Sequence, residues 1–184
     1  YDIVLLDIGL PAVDGITICR TVRHEFHGPI VKLTARGDEI DEEVAMELAA
    51  DDYIAKPVRP RALLARLRMH LNRSETPVDP GAPSKIQVDA LTIDAGGRTV
   101  QLDDRPITLT TAEFDLLWLL AENAGQVVSR EQIYQRLLGI RYDGLDRSID
   151  LRVSRLRKKL GDDPNHPQRI KSVRGVGYIL ARQT

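Results

Sequence analysis

Three polar side chains in the first part of the chain each follow an apolar segment of strand length. Asp7 follows IVLL, Thr34 follows IVKL and Lys56 follows YIA. If these segments are parallel strands, their carboxyl ends meet at one edge of the sheet, where open α/β sheets form their sites. There a carboxylate can attack phosphorus, a hydroxyl and an ammonium group can hold phosphoryl oxygens, and Mg2+ can screen the like charges. The spacing indicates a phosphoryl-accepting site, although an acid and a lysine at strand ends also form ordinary surface ion pairs.

Two local features bear on this first site. Asp7, Pro11, Asp14 and Gly15 fit the pattern D-x-x-x-P-x-x-D-G, a loop that opens the next helix, and Lys56–Pro57 is a candidate for a cis peptide bond. An aspartyl-nucleophile phosphatase is the enzymatic alternative. That class places a second acid two residues after the nucleophile, where this chain has Gly9. We therefore expect a protein that is not an enzyme.

The segment that begins at Arg147, RSIDLRVSRLRKKL, is the strongest candidate for binding an anionic partner. Residues 147–182 carry 10 basic and 3 acidic side chains, whereas residues 86–146 carry 5 basic and 10 acidic ones. Apolar residues recur at helical spacing, so one face is core and the basic residues occupy the other. Such a helix suits the DNA major groove, where arginine bonds guanine and lysine meets phosphate. The alternative is a solvated basic face. The apolar residues are Ile149, Val153, Leu156 and Leu160.

A glycine-rich turn follows this helix. Arg174 stands in RGVG between two predicted strands, Ile170–Val173 and Tyr178–Ala181. An arginine that projects from such a turn can enter a narrow minor groove, and the alternative is a turn arginine in water.

The elements that would position these residues fall into two groups. Before residue 74, buried strands alternate with helices, which predicts a doubly wound parallel sheet. The predicted strands are Ile3–Leu6, Pro29–Leu33 and Tyr53–Ala55, and the predicted helices are Gly15–Glu25, Glu39–Ala50 and Pro60–Leu71.

After residue 85 the pattern is that of a small antiparallel sheet, three helices and a hairpin, which predicts a winged helix-turn-helix. The predicted strands are Ile86–Ile93, Thr99–Leu102 and Ile107–Leu109. The first predicted helix begins at Thr111, the second runs from Ser129 to Leu137, and the third runs from about Leu145 to Leu160. Thr111 is expected to cap the first helix, and Ser129 with Gln132 the second. Residues 74–85, SETPVDPGAPSK, contain three prolines and are typical of a linker. The expected domains are therefore 1–73 and 86–184.

Composition agrees with two small globular domains. The 184 residues are 42% hydrophobic and 29% charged, and no apolar run approaches the length of a membrane span. Cys19 is the single cysteine, which excludes an internal disulfide and fits a cytoplasmic location. Because a buried strand begins so close to residue 1, we expect the chain to start inside a domain.

Both parts resemble the OmpR/PhoB-type response regulators of two-component systems, with some similarity to the RstA subgroup. The first part is similar to the second half of a receiver domain through DIGLPAVDG, LTARGDEID and AADDYIAKPVRPRALLARLR. The last part resembles the winged-helix effector through LTTAEFDLLWLLAENAGQVVSREQI, DRSIDLRVSRLRKKL and IKSVRGVGY. The resemblance implies a flavodoxin-like receiver and a transcription factor that is phosphorylated by a sensor histidine kinase. It also implies binding to double-stranded promoter DNA and RNA polymerase, and dimerisation on phosphorylation.

The resemblance also implies roles for single residues of the receiver. Asp7 would be the phosphoacceptor, Thr34 and Lys56 its partners, and Tyr53 the aromatic switch, although a half-buried strand tyrosine is an equal alternative for Tyr53. Asp7 and the carbonyl of Gly9 would face Mg2+. The residues that would pair across the dimer face are Asp51, Asp52, Arg66 and Arg73, although each could equally be a solvated surface charge.

In the effector, the resemblance divides the DNA-binding residues by what they would touch. Asp150, Leu151 and Arg155 would meet bases, and Arg174 the minor groove. Phosphates would be met by Arg147, Arg152, Arg157, Ser172 and Tyr178, and the basic face of the helix itself adds Lys158 as a phosphate contact. The segment LLGIRYDGL corresponds to the loop that meets RNA polymerase.

Three departures from the family pattern matter. The family's Mg2+-binding acidic pair ends its first strand, which we expect this chain to lack, and so we expect weak phosphorylation. Ala62 replaces an acidic residue of the dimer face, and Ser154 replaces a residue that is often basic.

Overall fold

The computed structural model describes residues 1–7, 15–26, 28–34, 50–72, 84–144 and 146–182. Residues 8–14, 27, 35–49, 73–83, 145 and 183–184 lie outside this description. They include Gly9, Arg73, nearly all of the predicted helix over 39–50 and nearly all of the predicted linker.

A parallel sheet forms the first part of the chain, as the alternation of strands and helices predicted. Strands β1 (Val4–Asp7), β2 (Ile30–Thr34) and β3 (Asp52–Ala55) pair side by side in that order. Helix α1 (Gly15–Glu25) has the predicted bounds, and α2 (Pro60–Asn72) extends one residue beyond its prediction. Ile30 of β2, Cys19 of α1 and Tyr53 of β3 share one buried cluster. The sheet therefore brings the ends of β1, β2 and β3 to a single edge.

A four-stranded antiparallel sheet opens the second part. It consists of β4 (Lys85–Val88), β5 (Leu91–Asp94), β6 (Thr99–Leu102) and β7 (Arg105–Ile107), paired in chain order. The prediction of one strand over Ile86–Ile93 is wrong, because Asp89 has a positive φ of 53° and turns the chain back into a hairpin. The last strand also lies earlier than the predicted Ile107–Leu109, since Asp103 and Asp104 both have positive φ and form the preceding turn.

Three helices and a small sheet complete the second part as a winged helix-turn-helix. The helices are α3 (Thr111–Glu122), α4 (Arg130–Leu138) and α5 (Ser148–Lys159), and the sheet has the order β8 (Val128–Ser129), β10 (Gly177–Leu180) and β9 (Ile170–Val173). Ser129 caps α4 with Gln132 in a capping box, as predicted. Thr110 caps α3 with Glu113, so the prediction of Thr111 as the cap is wrong by one residue. Helix α5 begins three residues after the predicted Leu145.

Strand β8 is the third strand of the wing sheet and was not predicted, because two residues carry no readable periodicity. It crosses so near to β10 that a Cβ on Gly177 would lie 2.0 Å from the carbonyl oxygen of Val128. Glycine is therefore required where the wing returns to the core.

One buried carboxylate holds the loop that leads from α5 to the wing. Asp162 is 5% exposed and accepts hydrogen bonds from the backbone nitrogens of Gln168 at 2.7 Å, Arg169 at 3.1 Å and Ile170 at 2.9 Å. Buried backbone donors need an acceptor, and here a single side chain supplies it for three of them. The position of the wing relative to α5 depends on this contact.

Replacement of Asp162 by alanine should therefore destabilise the effector domain by about 2 to 3 kcal/mol, because buried donors lose a charged acceptor. Urea unfolding followed by the fluorescence of Trp118, the single tryptophan, which lies in α3, measures the change. Asp163→Ala is the matched control, since Asp163 is exposed and pairs with the exposed His166 at 3.5 Å. Equal effects of the two variants would contradict the assignment.

Candidate functional site

The first candidate site lies at the carboxyl edge of the parallel sheet. Lys56 Nζ donates to Asp7 Oδ2 at 2.6 Å, and both side chains are partly exposed, at 40% and 32%. Thr34 ends the neighbouring strand, and its carbonyl accepts from the backbone nitrogen of Lys56 at 2.7 Å. The Lys56–Pro57 bond is cis, as the sequence suggested. The sheet thus brings Asp7 and Lys56 together as predicted, with Thr34 at the adjacent strand end.

The residues described at this edge do not make up a magnesium site by themselves. Mg2+ requires near-octahedral oxygen coordination, to which Asp7 contributes one carboxylate that Lys56 already contacts. Across the described ranges, no three His, Cys, Asp or Glu side chains come close enough together to hold a metal ion. The predicted second contribution, from Gly9, lies outside the described residues.

The second candidate site is the basic surface of α5 and the wing. Arg147, Lys158, Ser172 and Arg174 are exposed. Arg157 joins the helix to the wing, because its guanidinium donates to the carbonyl of Ile170 at 2.7 Å and to Ser172 Oγ at 2.9 Å. The two predicted phosphate-contacting residues Arg157 and Ser172 are therefore in mutual contact. This bond fixes the angle between the helix and the wing.

A third group on the same side ties α4, α5 and β10 together. Arg130 donates to Asp150 Oδ1 through Nε at 3.1 Å and Nη2 at 3.0 Å, and it contacts the Tyr178 hydroxyl at 3.1 Å. Tyr178 is 3% exposed and its hydroxyl donates to the same Oδ1. Burial, followed by the hydrogen bond to Asp150, raises the pKa of Tyr178, so its hydroxyl stays protonated at neutral pH. Asp150 and Tyr178 are thus linked to each other and to Arg130.

Two other arginines of α5 do not face solvent but contact the first part of the chain. Arg152 and Arg155 are only 2% and 7% exposed. Arg152 Nη2 donates to the carbonyl of Asp51 at 2.8 Å, and Arg155 donates to the carbonyl of Ala50 and to the Tyr53 hydroxyl. The predicted base- and phosphate-contacting arginines are therefore bound to the parallel sheet, which covers this face of α5.

Leu151 and Tyr53 complete this contact. Leu151 packs against the buried cluster of the first part, and the Arg155 guanidinium lies 5.2 Å from the centre of the Tyr53 ring. Burial raises the pKa of Tyr53, while the charge of Arg155 acts in the opposite direction. The predicted switch tyrosine thus touches the predicted base-reading arginine.

A buried charge cluster lies beside this contact. Asp52 is 0% exposed and bonds Arg66 at 3.2 Å and His70 at 3.3 Å. Arg66 also bonds Asp146, which stands just before α5. Burial alone would raise the pKa of Asp52, but the hydrogen bond with His70 and the charge of Arg66 outweigh it and lower that pKa. Asp52 therefore stays ionised and holds Arg66 in place for Asp146.

The residues expected at a dimer face are thus bonded within one chain. Asp51 accepts from Arg23 and from the backbone nitrogen of Ile30, while Asp52 and Arg66 belong to the charge cluster. Pairing of these side chains with a second copy would require their bonds within the first part to break, and Arg66 would also have to leave Asp146.

Sequence reasoning missed Arg130, His70 and Asp146. For Arg130 a signal existed: a cation at the first position of a helix is disfavoured by the helix dipole, and its presence there points to a specific partner. The partners of Asp146 and His70 are distant in sequence, and no local sequence pattern indicates these contacts.

Two family profiles match the chain, one for each part. The response regulator receiver domain matches residues 1–68, and the C-terminal domain of transcriptional regulatory proteins matches residues 104–180. Within the described residues, no helix combines the length and the apolar character that crossing a membrane would require.

Curated relatives match over nearly the whole chain. The transcriptional regulatory protein RstA of Escherichia coli K12 is 47% identical over 98% of this chain and 79% of its own length. CpxR of the same organism is 41% identical over 97% of this chain and 79% of its own length.

Solved structures match in the same way. The RstA DNA-binding domain of Klebsiella pneumoniae, solved in complex with the RstA box, is 47% identical with a TM-score of 0.52, and the match covers 54% of this chain and 98% of that one. A mutant of RitR, 27% identical, matches 100% of this chain and 80% of its own with a TM-score of 0.63.

The contact between α5 and the parallel sheet can be tested by removing both buried arginines. The double variant Arg152→Ala/Arg155→Ala should increase the radius of gyration in small-angle X-ray scattering, because the hydrogen bonds to Ala50, Asp51 and Tyr53 are lost. Lys158→Ala is the matched control on the exposed face of the same helix. A radius that stays the same in both variants would show that these bonds do not hold the two parts together.

Proposed function

The chain belongs to the OmpR/PhoB-type response regulators and is a DNA-binding transcriptional regulator, and on that premise we propose that its receiver part controls DNA reading by covering α5. The observation that carries this proposal is the burial of Arg152 and Arg155 against the receiver backbone. A recognition helix cannot enter the major groove while the receiver occupies the same face.

For the open form, we assign the DNA contacts by position. Asp150, Leu151 and Arg155 read base edges from α5 in the major groove, and Arg174 enters the minor groove from the wing. The contacts to phosphate come from Arg147, Arg152, Arg157, Lys158, Ser172 and Tyr178. The net positive charge of residues 147–182 supports this assignment, since phosphate contacts supply much of the affinity for DNA.

Asp7 is the proposed phosphoacceptor, with a sensor histidine kinase as the donor. Lys56 supports this role because its ammonium group already lies 2.6 Å from the carboxylate that would carry the new charge. Thr34, which ends the adjacent strand β2, is the proposed donor to a phosphoryl oxygen. Receiver domains bind Mg2+ as a family, and Asp7 and Gly9 are its proposed ligands here. The other oxygen ligands must come from outside the residues described at this edge.

Opening of the covered form is the proposed consequence of phosphorylation. If Thr34 moves toward the phosphoryl group, Tyr53 can turn inward, and its hydroxyl then leaves Arg155. Separation of the two parts releases Arg66 from Asp146. Asp51, Asp52 and Arg66 can then pair with Arg73 and their counterparts in a second copy once their bonds within the receiver rearrange. Two effectors held in one dimer bind half-sites about one helical turn apart, and the linker predicted over 74–85 lets both effectors point the same way, which favours direct repeats.

The loop between α4 and α5 is the proposed contact with RNA polymerase. Ile140 and Tyr142 anchor it on the effector core, and the Tyr142 ring lies 4.8 Å from that of Tyr134. Arg141 between them is 93% exposed. An anchored loop that presents a charged side chain suits a protein partner. The proposed location of the protein is the cytoplasm, where RNA polymerase and DNA are found.

Phosphorylation of Asp7 can be tested in the full-length protein with phosphoramidate and Mg2+. Mass spectrometry should find one added phosphoryl group, and light scattering should find a dimer, because the phosphoryl group favours the open form. Asp7→Asn should show neither change, whereas Asp2→Asn, which removes an exposed acid, should behave as the parent protein. A phosphoryl group retained in Asp7→Asn would overturn the assignment.

Base reading by Arg155 can be separated from phosphate binding by Lys158. A site is first selected from a random DNA pool, and its affinity is then compared with those of single base-pair variants. Arg155→Ala should lose about 1 to 3 kcal/mol of discrimination at one base pair, while Lys158→Ala should mainly reduce the salt dependence, by about one unit of slope. Loss of Arg155 also weakens the contact with the receiver, and this changes the affinity for every DNA sequence by the same factor. The ratio of the affinities for two sequences is not affected by that factor and therefore measures base reading alone. Equal losses on all sequences for Arg155→Ala would refute its role.

A further inference from the structure

We propose that Arg130 is a positioning residue that fixes the Asp150 carboxylate for reading a base pair in the major groove. The proposal rests on the assignment of α5 as the recognition helix and names a residue that neither the motifs nor the charge pattern singled out. Arg130 stands on α4, outside the recognition helix, and reaches Asp150 with two nitrogens at 3.1 and 3.0 Å.

The location of Arg130 indicates that its side chain serves the contact with Asp150. As the first residue of α4, it lies at the positive end of the helix dipole, where a cation is disfavoured. Its side chain is only 22% exposed, and the guanidinium lies 4.9 Å from the centre of the Tyr178 ring. A side chain held by a carboxylate, a hydroxyl and an aromatic ring has little freedom to follow a phosphate.

Three donors bond the same oxygen of the Asp150 carboxylate. Arg130 Nε, Arg130 Nη2 and the Tyr178 hydroxyl all bond Oδ1 of Asp150, and among the described residues none of these bonds reaches Oδ2. The Asp150 side chain is 30% exposed. One oxygen is thus an internal anchor, and the other remains to accept a hydrogen bond from outside.

The outside donor that fits is an exocyclic amino group of a base. In the major groove, carboxylates accept from cytosine N4, and adenine N6 offers a similar donor. A carboxylate close to DNA is repelled by phosphates, and the adjacent Arg130 offsets that repulsion without touching the backbone. All three side chains belong to the effector, so the group is already assembled while the receiver covers the neighbouring part of α5.

The test measures base discrimination with the whole chain on the selected site and its single base-pair variants. Asp150→Asn first identifies the base pair that Asp150 reads. Arg130→Gln should lose discrimination at that same base pair, between about fivefold and a hundredfold, and the double variant should lose no more than Asp150→Asn alone. Arg130→Lys, which keeps the charge but offers one bond in place of two, should be intermediate. Arg136→Gln is the matched control on the same helix, because Arg136 is 68% exposed and lies 3.7 Å from Glu122.

The alternatives give different outcomes. If Arg130 were a phosphate contact, Arg130→Gln would weaken all sequences equally and reduce the salt slope by about 0.9, which would overturn the proposal. Additive losses in the double variant, or unchanged discrimination, would also overturn it. Trp118 fluorescence establishes that each variant is folded, and if Arg130→Gln is not, Arg130→Lys carries the same comparison. If the unmodified chain selects no sequence, the proposed function itself fails, an outcome that is distinct from the others.

Discussion

Arg152 and Arg155 bind the receiver backbone, and under the proposed function the same two side chains must bind DNA, which they cannot do at the same time. In the covered arrangement, their guanidinium groups lie on the carbonyls of Ala50 and Asp51 and on the Tyr53 hydroxyl. In a DNA complex, the same groups would have to enter the major groove or meet phosphates. The covered arrangement also includes the orientation of α5, the burial of Leu151 and the bond between Arg66 and Asp146. Under the proposed function, control of DNA binding therefore depends on whether the receiver or DNA binds Arg152 and Arg155.

The receiver offers backbone carbonyls and the Tyr53 hydroxyl to these two arginines, and Arg152 also lies near enough to Asp52 for its charge to help lower the pKa of that carboxyl. Arg152 Nη1 is buried without a hydrogen-bond acceptor among the described residues. A phosphate carries a charge opposite to that of arginine and can accept two parallel hydrogen bonds from one guanidinium group, which a single carbonyl oxygen cannot do. What favours the receiver is proximity: a tethered partner has an effective concentration that free DNA must exceed. Coverage of α5 therefore depends on the covalent link between the two parts as well as on these bonds.

The sequence allowed much of the fold to be predicted, and less of the site. Apolar periodicity located α1, α2 and the core face of α5, and Ser129 marked the start of α4, because these signals are local. The hairpin at Asp89 was missed since a positive φ at an aspartate leaves no mark in the pattern of hydrophobic residues. The convergence of Asp7 and Lys56 followed from parallel topology, but no pattern within α5 could show that Arg152 and Arg155 contact residues about a hundred positions away.

Tyr53 connects the two candidate sites, but its single bond to Arg155 is too small to act as the whole switch. A hydrogen bond to a charged group contributes about 1.5 to 3 kcal/mol, whereas inverting a two-state population from 1:99 to 99:1 needs about 5.5 kcal/mol. The remaining free energy has to come from new bonds that form in a dimer or on DNA, and these must also offset the loss of the bonds of Arg152 to Asp51 and of Arg66 to Asp146. Asp52 makes the loss concerted, because it holds Arg66 in the receiver and lies next to Tyr53 on the same strand. In the proposed mechanism, a change at Asp7 is therefore transmitted to α5 through β3, and the opening is completed by the partners that the freed surfaces then bind.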